Sequence, residues 1–411
     1  MGYRVEVIDK NLKRIGEIDS WISLDFSVRL SSEGIWQLLI KDGTPQANLI
    51  QKGGGIVIWQ DGVSKPILSG QVDSFQKYWT KVQHTGPGSL YIAGKCHNSL
   101  AYRRLLFPDP ARPVGQQYLA RSAHRPIRAV EGAGHLIYDE VNKSMGPAAL
   151  ADRRIANLNL TDSTVGLGIG DTLRFDGLGE KLEEWCKKRG VAYRFIYNPT
   201  SQKIDLEIFA PKNRSKGVRF SPDLGNLTEY IWTLSAPKVT RAIAGCAGEG
   251  KDRYMKQKVD TASEAEWGIQ IERFIDRRDI PVKTNMANGQ PIKSDPELTA
   301  DEYTAALTSI DDALTTALTE GEKNGNFQIY PIDTDDCKFG RDYFVGDIVT
   351  VAVDGTEYSD VVREVTISVD DGGNATEIRP KIGEQGSGDP LNLYKTVFEM
   401  QRKLDRLQAR M

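Results

Sequence analysis

The sequence predicts an α+β, mainly β fold: two related small β-barrels, a mixed α/β accessory domain, a helical insertion and a C-terminal coiled-coil helix. Three observations carry this expectation. Apolar residues alternate with period two in two separate regions, those regions share a local pattern, and the chain ends on an unbroken heptad seam.

The first region opens with Ile22, Leu24, Phe26, Val28 and Leu30 alternating with Ser23, Asp25, Ser27 and Arg29. That spacing puts one strand face in a core and the other in water. Ser31-Ser32-Glu33-Gly34 turns the chain, and Trp36, Leu38 and Ile40 resume the alternation. Asp42-Gly43 makes a further turn, and Gly54-Gly55-Ile56-Val57-Ile58-Trp59 runs into Asp61-Gly62, a hairpin signal. Short strands separated by turns predict a small barrel over residues 1–105.

Pro108, Pro110 and Pro113 break the pattern and mark a boundary. Residues 106–215 read as a mixed α/β accessory domain. A helix is expected over residues 129–145, stopped by Gly146-Pro147. A second, residues 179–189, has Leu178, Leu182 and Trp185 on one face and Gly190 as its stop. Tyr193-Arg194-Phe195-Ile196 and residues 203–208 form a hairpin around Asn198-Pro199-Thr200-Ser201.

Residues 216–385 read as the second barrel with an inserted segment. The polar stretch 247–296 predicts no definite element. Residues 299–318 predict a helix: Thr299 and Glu302 have capping-box spacing, and Tyr303, Leu307, Ile310, Leu314 and Ala317 recur at helical intervals. Strands return over 326–382.

The two strand-rich regions echo each other. Gly54 to Asp61-Gly62 in the first parallels Gly346-Asp347-Ile348-Val349-Thr350-Val351-Ala352-Val353-Asp354-Gly355 in the second, which is one residue longer, as a β-bulge allows. Leu68 and Val72 follow Gly62 at the same intervals as Val361 and Val365 follow Gly355. Two unrelated hairpins could share such a pattern; a duplicated barrel is expected.

A linker, Gly383-Glu384-Gln385-Gly386-Ser387-Gly388, precedes the last segment, 386–411 being linker and helix. Asp389 and Pro390 suit a helix start. Leu393, Val397, Met400, Leu404, Leu407 and Met411 are spaced 4, 3, 4, 3, 4, an a/d seam over about three heptads. The resulting helix, about 30 Å long, would leave its stripe in water without a partner. Self-association is expected, with docking on the chain's own body as the other solution. The seam does not choose between dimer and trimer.

Bulk composition narrows the function classes. The chain has 411 residues, 27% of them charged, with net charge -3 and a pI near 6.0, so no basic excess drives general nucleic-acid binding. Cys96, Cys186, Cys246 and Cys337 lie far apart with no C-x-x-C pair, as expected for buried free thiols in a reducing cytoplasm. The start shows no signal peptide, and no apolar run is long enough for a membrane-spanning helix. Four histidines, His84, His97, His124 and His135, lack any H-E-x-x-H pattern, and neither G-x-S-x-G nor a Walker loop occurs. No enzyme activity and no cofactor are expected. Gly245-Cys246-Ala247-Gly248-Glu249-Gly250-Lys251 is a poor phosphate cradle, since Glu249 would repel the ligand. Asp333, Asp335 and Asp336 lack the EF-hand glycine, Lys338 standing in its place, so no metal site is expected. Glu183-Glu184 reads as a solvated helix face. Arg103, Arg104, Arg112, Arg121, Arg125 and Arg128 form a basic stretch for which internal ion pairs are expected ahead of a polyanion contact. Trp21, Trp36 and Trp185 read as core rather than as sugar-stacking residues.

A family resemblance joins these pieces. Residues 21–40, with the Glu33-Gly34-Ile35-Trp36 turn, resemble the start of siphophage tail-tip hub proteins. Val141-Asn142-Lys143-Ser144-Met145-Gly146-Pro147-Ala148 with Arg153-Arg154, the helix–strand unit 178–195, Asn226-Leu227-Thr228-Glu229-Tyr230, Ala236-Pro237-Lys238-Val239-Thr240-Arg241 and the zipper end resemble hub-like minor tail proteins of phages infecting actinobacteria. That family is related to the trimeric baseplate hub of contractile tails. The likeness spans nearly the whole chain through diffuse motifs whose order is shared. It implies a virion protein assembled in the host cytoplasm as a homotrimer. The distal tail protein and tail tube would lie above it, the tape-measure protein would be a partner, and a spike or fibre would hang below. DNA would pass through its lumen without specific binding. Six barrels from three chains would match a six-fold tube to a three-fold spike. The competing expectation is a receptor-binding adhesin for cell-wall polysaccharide. A cell-wall hydrolase is the more distant one, and the zipper ending the chain leaves no lytic domain after it.

Overall fold

A computed structural model describes residues 2–80, 88–120, 126–128, 130–321, 324–331, 334, 337–353 and 355–383. Seven strands and a short helix open the chain: β1 (Tyr3–Ile8), β2 (Arg14–Ile18), β3 (Ser23–Arg29), β4 (Ile35–Lys41), α1 (Pro45–Leu49), β5 (Gly55–Gln60), β6 (Leu68–Tyr78) and β7 (Ser89–Cys96). They pair antiparallel in the order β3-β4-β7-β6-β5-β1-β2. The alternation works as expected at Leu24, Phe26, Trp36, Leu38 and Ile40, all buried. Ile22 departs from it: it precedes β3 and is half exposed.

The accessory region follows with α2 (Ser99–Tyr102), β8 (Ile127–Arg128), α3 (Gly132–Met145), β9 (Leu158–Leu160), β10 (Ile169–Gly170), α4 (Leu178–Arg189), β11 (Ala192–Asn198) and β12 (Lys203–Phe209). The helix α4 ends as its sequence dictates, with Gly190 left-handed at φ 61° and its N–H on the Cys186 carbonyl. Leu136, Val141, Leu182, Trp185, Tyr193 and Phe195 form a core that also takes in Ile8, Val57 and Trp59 from β1 and β5. The accessory region is thereby seated on the back of the first sheet.

The remaining elements are β13 (Arg219–Phe220), β14 (Leu227–Ser235), β15 (Arg241–Gly245), β16 (Met255–Val259), α5 (Thr261–Trp267), β17 (Glu272–Asp276), β18 (Val282–Thr284), β19 (Pro291–Lys293), α6 (Ala300–Glu320), β20 (Asn324–Pro331), β21 (Ile348–Val353), β22 (Thr356–Val369) and β23 (Ala375–Gly383). Residues 236–323 are an insertion between the paired strands β14 and β20. In it the polar stretch left unassigned by sequence forms β16 to β19, and α6 covers the sheet β16-β15-β17 by packing Ile310 and Leu314 on Ala242 and Ala244.

The two strand-rich regions share one connectivity. β5-β6-β7-β4-β3 is matched by β21-β22-β23-β20-β14, every neighbour antiparallel. Each long strand breaks register at the same point against its hairpin partner, between Val72 and Ser74 in β6 and between Val362 and Glu364 in β22. The ladders therefore equate Val72 with Val362. This corrects the spacing read from sequence, which equated Val72 with Val365. β6 begins only at Leu68, whereas Thr356 already pairs with Val353, so the first turn is three residues longer. The 236–323 insertion occupies the hairpin tip whose counterpart in the first set is the short turn between β3 and β4.

One ladder, β22 on β3 over residues 364–369 and 24–29, joins the two sets into a continuous sheet with a single core. Among the described residues no ladder closes either set into a barrel.

Candidate assembly surface

Two features of this architecture bear on assembly: a polar joint that fixes the accessory region, and two sheet edges that carry no further ladder among the described residues.

The joint lies along β11. One edge of that strand pairs with β12. On the other, three side-chain oxygens accept the alternate N–H groups: Ser31 Oγ from Tyr193 (3.1 Å), Asn98 Oδ1 from Phe195 (2.8 Å) and Ser69 Oγ from Tyr197 (2.9 Å). All three acceptors are buried and belong to the first sheet and its following turn. An edge that would otherwise recruit another strand is thus closed by side chains. Asn98 also donates to the Ser32 carbonyl at 2.7 Å, and the Tyr102 hydroxyl donates to Glu183 at 2.7 Å. A cleft of about 790 Å³ lies beside this joint, bordered by Ser31, Ile67, Asn98, Phe195, Phe209 and Phe344.

Ser69 and His97 meet here, a pair that sequence spacing gave no reason to expect. Ser69 Oγ accepts the Tyr197 N–H and shares a second hydrogen bond with His97 Nδ1, 2.8 Å away, whose direction is set by the imidazole tautomer. Burial, with Arg103 adding its charge, pushes His97 down to about 3. A catalytic Ser–His pair needs a group orienting the imidazole and access for substrate. Here Nε2 has no hydrogen-bond partner among the described residues, and both side chains are buried. The pair is a structural clamp. Cys186 is equally unreactive, its thiol pushed up to about 12 by burial.

The second feature is the distal half of β6. Residues 68–71 pair with β5, but beyond them that edge of the strand has no ladder partner among the described residues, and residues 73–78 are exposed. Phe75, Tyr78 and Trp79 stand out of the protein here, Trp79 at 61% exposure. At the other end of the sheet β14 is the terminal strand, paired among the described residues with β20.

The remaining sequence candidates fall as follows. The seam residues Leu393, Val397, Met400, Leu404, Leu407 and Met411 lie outside the described residues, as do Arg121, Arg125, Asp333, Asp335 and Asp336. Among the basic residues, Arg103 meets Gln71 and Asp73, Arg112 meets Asp109 (2.8 Å), and Arg128 meets Asp139 and Glu131. Arg104 hydrogen-bonds the carbonyls of Arg103 and Arg153. Glu184 bridges Lys181 and Lys188. The glycine-rich run 245–251 connects β15 to β16 in the insertion. Trp21, Trp36 and Trp185 are buried as expected; the sequence gave no sign that Trp79 would be exposed. Among the described residues no group of three or more His, Cys, Asp or Glu could hold a metal ion, and no helix is long and apolar enough to cross a membrane.

Comparisons with known proteins agree with this architecture. The chain resembles three solved tail proteins: the 43 kDa tail protein of prophage MuSo2 from Shewanella oneidensis (13% identity, 93% of this chain and 98% of that one, TM-score 0.54), a tail protein from Neisseria meningitidis MC58 (12%, 94% and 98%, 0.52) and prophage tail protein gp18 from Listeria monocytogenes EGD-e (8%, 97% and 99%, 0.53). At such identities the likeness establishes the fold alone. Among curated proteins none matches the sequence. The family model of the Siphovirus ReqiPepy6 Gp37-like protein matches residues 4–384, and the chain therefore belongs to that family.

Proposed function

We propose that the chain is a homotrimeric hub of the tail tip, assembled in the host cytoplasm. The hub adapts a six-fold tail tube to a three-fold spike or fibre and takes part in host attachment and DNA passage. The observation that carries this reading is the duplicated strand set within one chain, down to the paired register breaks at Val72/Ser74 and Val362/Glu364. Three chains with two equivalent sets each present six similar units to a six-fold partner while remaining three-fold themselves. On this reading residues 1–105 and 216–385 are the two tube-like units, the second carrying the insertion, and residues 106–215 are the accessory domain between them. The C-terminal seam continues the three-fold axis into a coiled coil. Its partners are the distal tail protein and tail tube above, the tape-measure protein, and a spike or fibre below. The work is mechanical and requires neither enzyme activity nor cofactor.

Light scattering tests the reading. The full chain is expected at three times 45.7 kDa, and a version ending at Glu384 should fall towards the monomer. A full-length monomer at every concentration would overturn the zipper-driven trimer. The competing reading, an adhesin for wall polysaccharide, draws on the exposed Trp79 and Tyr118. Specific binding on a glycan array would favour it, whereas a hub should give none.

A further inference from the structure

The junction between the two strand sets specifies how a second copy attaches. Within the chain, β3 of the first set lies against the far half of β22 in the second. Glu364 stands opposite Arg29, Val365 opposite Val28, and Ile367 opposite Phe26. By the ladder registers β22 is the counterpart of β6, and β3 the counterpart of β14. Each set therefore owns one strand that receives a neighbour and one that docks on a neighbour. Among the described residues only one of the two possible junctions is made inside the chain. The far half of β6 and the outer edge of β14 are what remains.

The exposure pattern shows the same vacancy. Val365, Ile367 and Val369 are buried beneath the ladder with β3. Their counterparts in β6 are Phe75, Lys77 and Trp79. Phe75 is 39% and Trp79 61% exposed, and Lys77 is salt-bridged to Asp42 at 3.1 Å. An extended edge that exposes Phe75 and Trp79 on one face is a template for strand addition.

We infer that the far half of β6 in one copy pairs antiparallel with β14 of the next copy, in the register of the internal β22–β3 ladder. Transferring that register puts residues 74–78 against residues 231–235, with Ser74 opposite Ser235 and Tyr78 opposite Ile231. The partner is a second copy of this chain and the contact is heterologous, so repeating it generates a ring or an open helix. Closure at three rests on the hub reading above; the ladder itself does not. Five residues a side make a weak contact alone, and a C-terminal zipper would raise the effective concentration at which it forms.

Disulfide trapping in the full-length chain tests the register. Ser74→Cys and Ser235→Cys are made separately, mixed under reducing conditions and oxidised. The counterpart residues, Glu364 and Arg29, stand directly opposite each other in the internal ladder, and directly opposed residues hold their Cβ atoms about 4.5–5.5 Å apart, so the two new thiols should meet. The expected product is a band of twice the chain mass from the mixture and from neither variant alone. The native cysteines give little background, three being buried and Cys96 partly so. The double variant should yield a covalent closed trimer. A trimer by light scattering without the mixed band would sink the ladder and leave the hub reading standing. A monomer without the band would sink both. The mixed band with no closed trimer would support the ladder and overturn the ring of three.

Discussion

His97 is buried, and among the described residues its ring meets Ser69 on one nitrogen and no carboxylate. Its folded-state pKa, near 3, lies below the ordinary 6.5, so the unfolded chain takes up a proton that the folded chain refuses. Stability is therefore complete above about pH 6.5 and falls as the pH drops towards 3. The titrating carboxylates leave part of that window clear. In Asp139, Glu184, Glu207 and Glu364 burial works against ionisation, but neighbouring lysines and arginines outweigh it and hold these groups below 3.8 to 4.5. Between pH 6.5 and 5 the His97 contribution should remove about 2 kcal/mol. Urea midpoints at several pH values measure it, and His97→Gln should flatten the slope in that interval. An unchanged slope in the variant would rule the histidine out. Nothing in the sequence announces this residue's role. Ser69 and His97 are 28 positions apart, and their meeting depends on how β6 and β7 run past each other.

At the scale of elements, α6 shows what local chemistry settles. Thr299 Oγ1 accepts the Glu302 N–H at 3.2 Å while Glu302 Oε2 accepts the Thr299 N–H at 2.9 Å, the reciprocal cap its spacing announces. Thr299→Ala should cost about 1 kcal/mol, seen as a lower thermal midpoint, and a midpoint unchanged or raised would show that the cap carries no stability. The stop of α4 at Gly190 was equally legible, because caps and stops depend on neighbours in sequence. Strand pairing is different. The hairpin of β14 and β20 is interrupted by residues 236–323, so its two halves carry no short-range signal of each other. The longer turn between β5 and β6 defeated alignment by spacing for a related reason: a turn may gain residues without changing the ladder it joins. The joint along β11 stayed hidden because side chains, not a strand, satisfy its edge.

For the whole molecule, the decisive fact is that both strand sets share one core. Leu24, Phe26, Trp36 and Leu38 pack in the same cluster as Val351, Val365, Ile367 and Ile382, and Trp21 Nε1 donates to the Asp370 carbonyl at 2.6 Å. A fragment ending at residue 98 should accordingly fail to unfold cooperatively in circular dichroism, and co-expression with residues 211–383 should restore the transition. Cooperative folding of the first fragment alone would show that its half of the core is self-sufficient.

The ladder between β3 and β22 also sets a clock. At about 5–20 residues per second of synthesis, β3 leaves the ribosome roughly 20–70 s before the strand that covers it. Its apolar edge is available to any passing strand throughout that interval, and the strand that the duplication equates with β22 is β6, which every nascent chain of the same kind exposes early. The order of the chain thus makes the first half wait for the second. Contacts of such sequence separation also slow the final step of folding, so the yield of correctly formed subunits depends on how well that wait is protected.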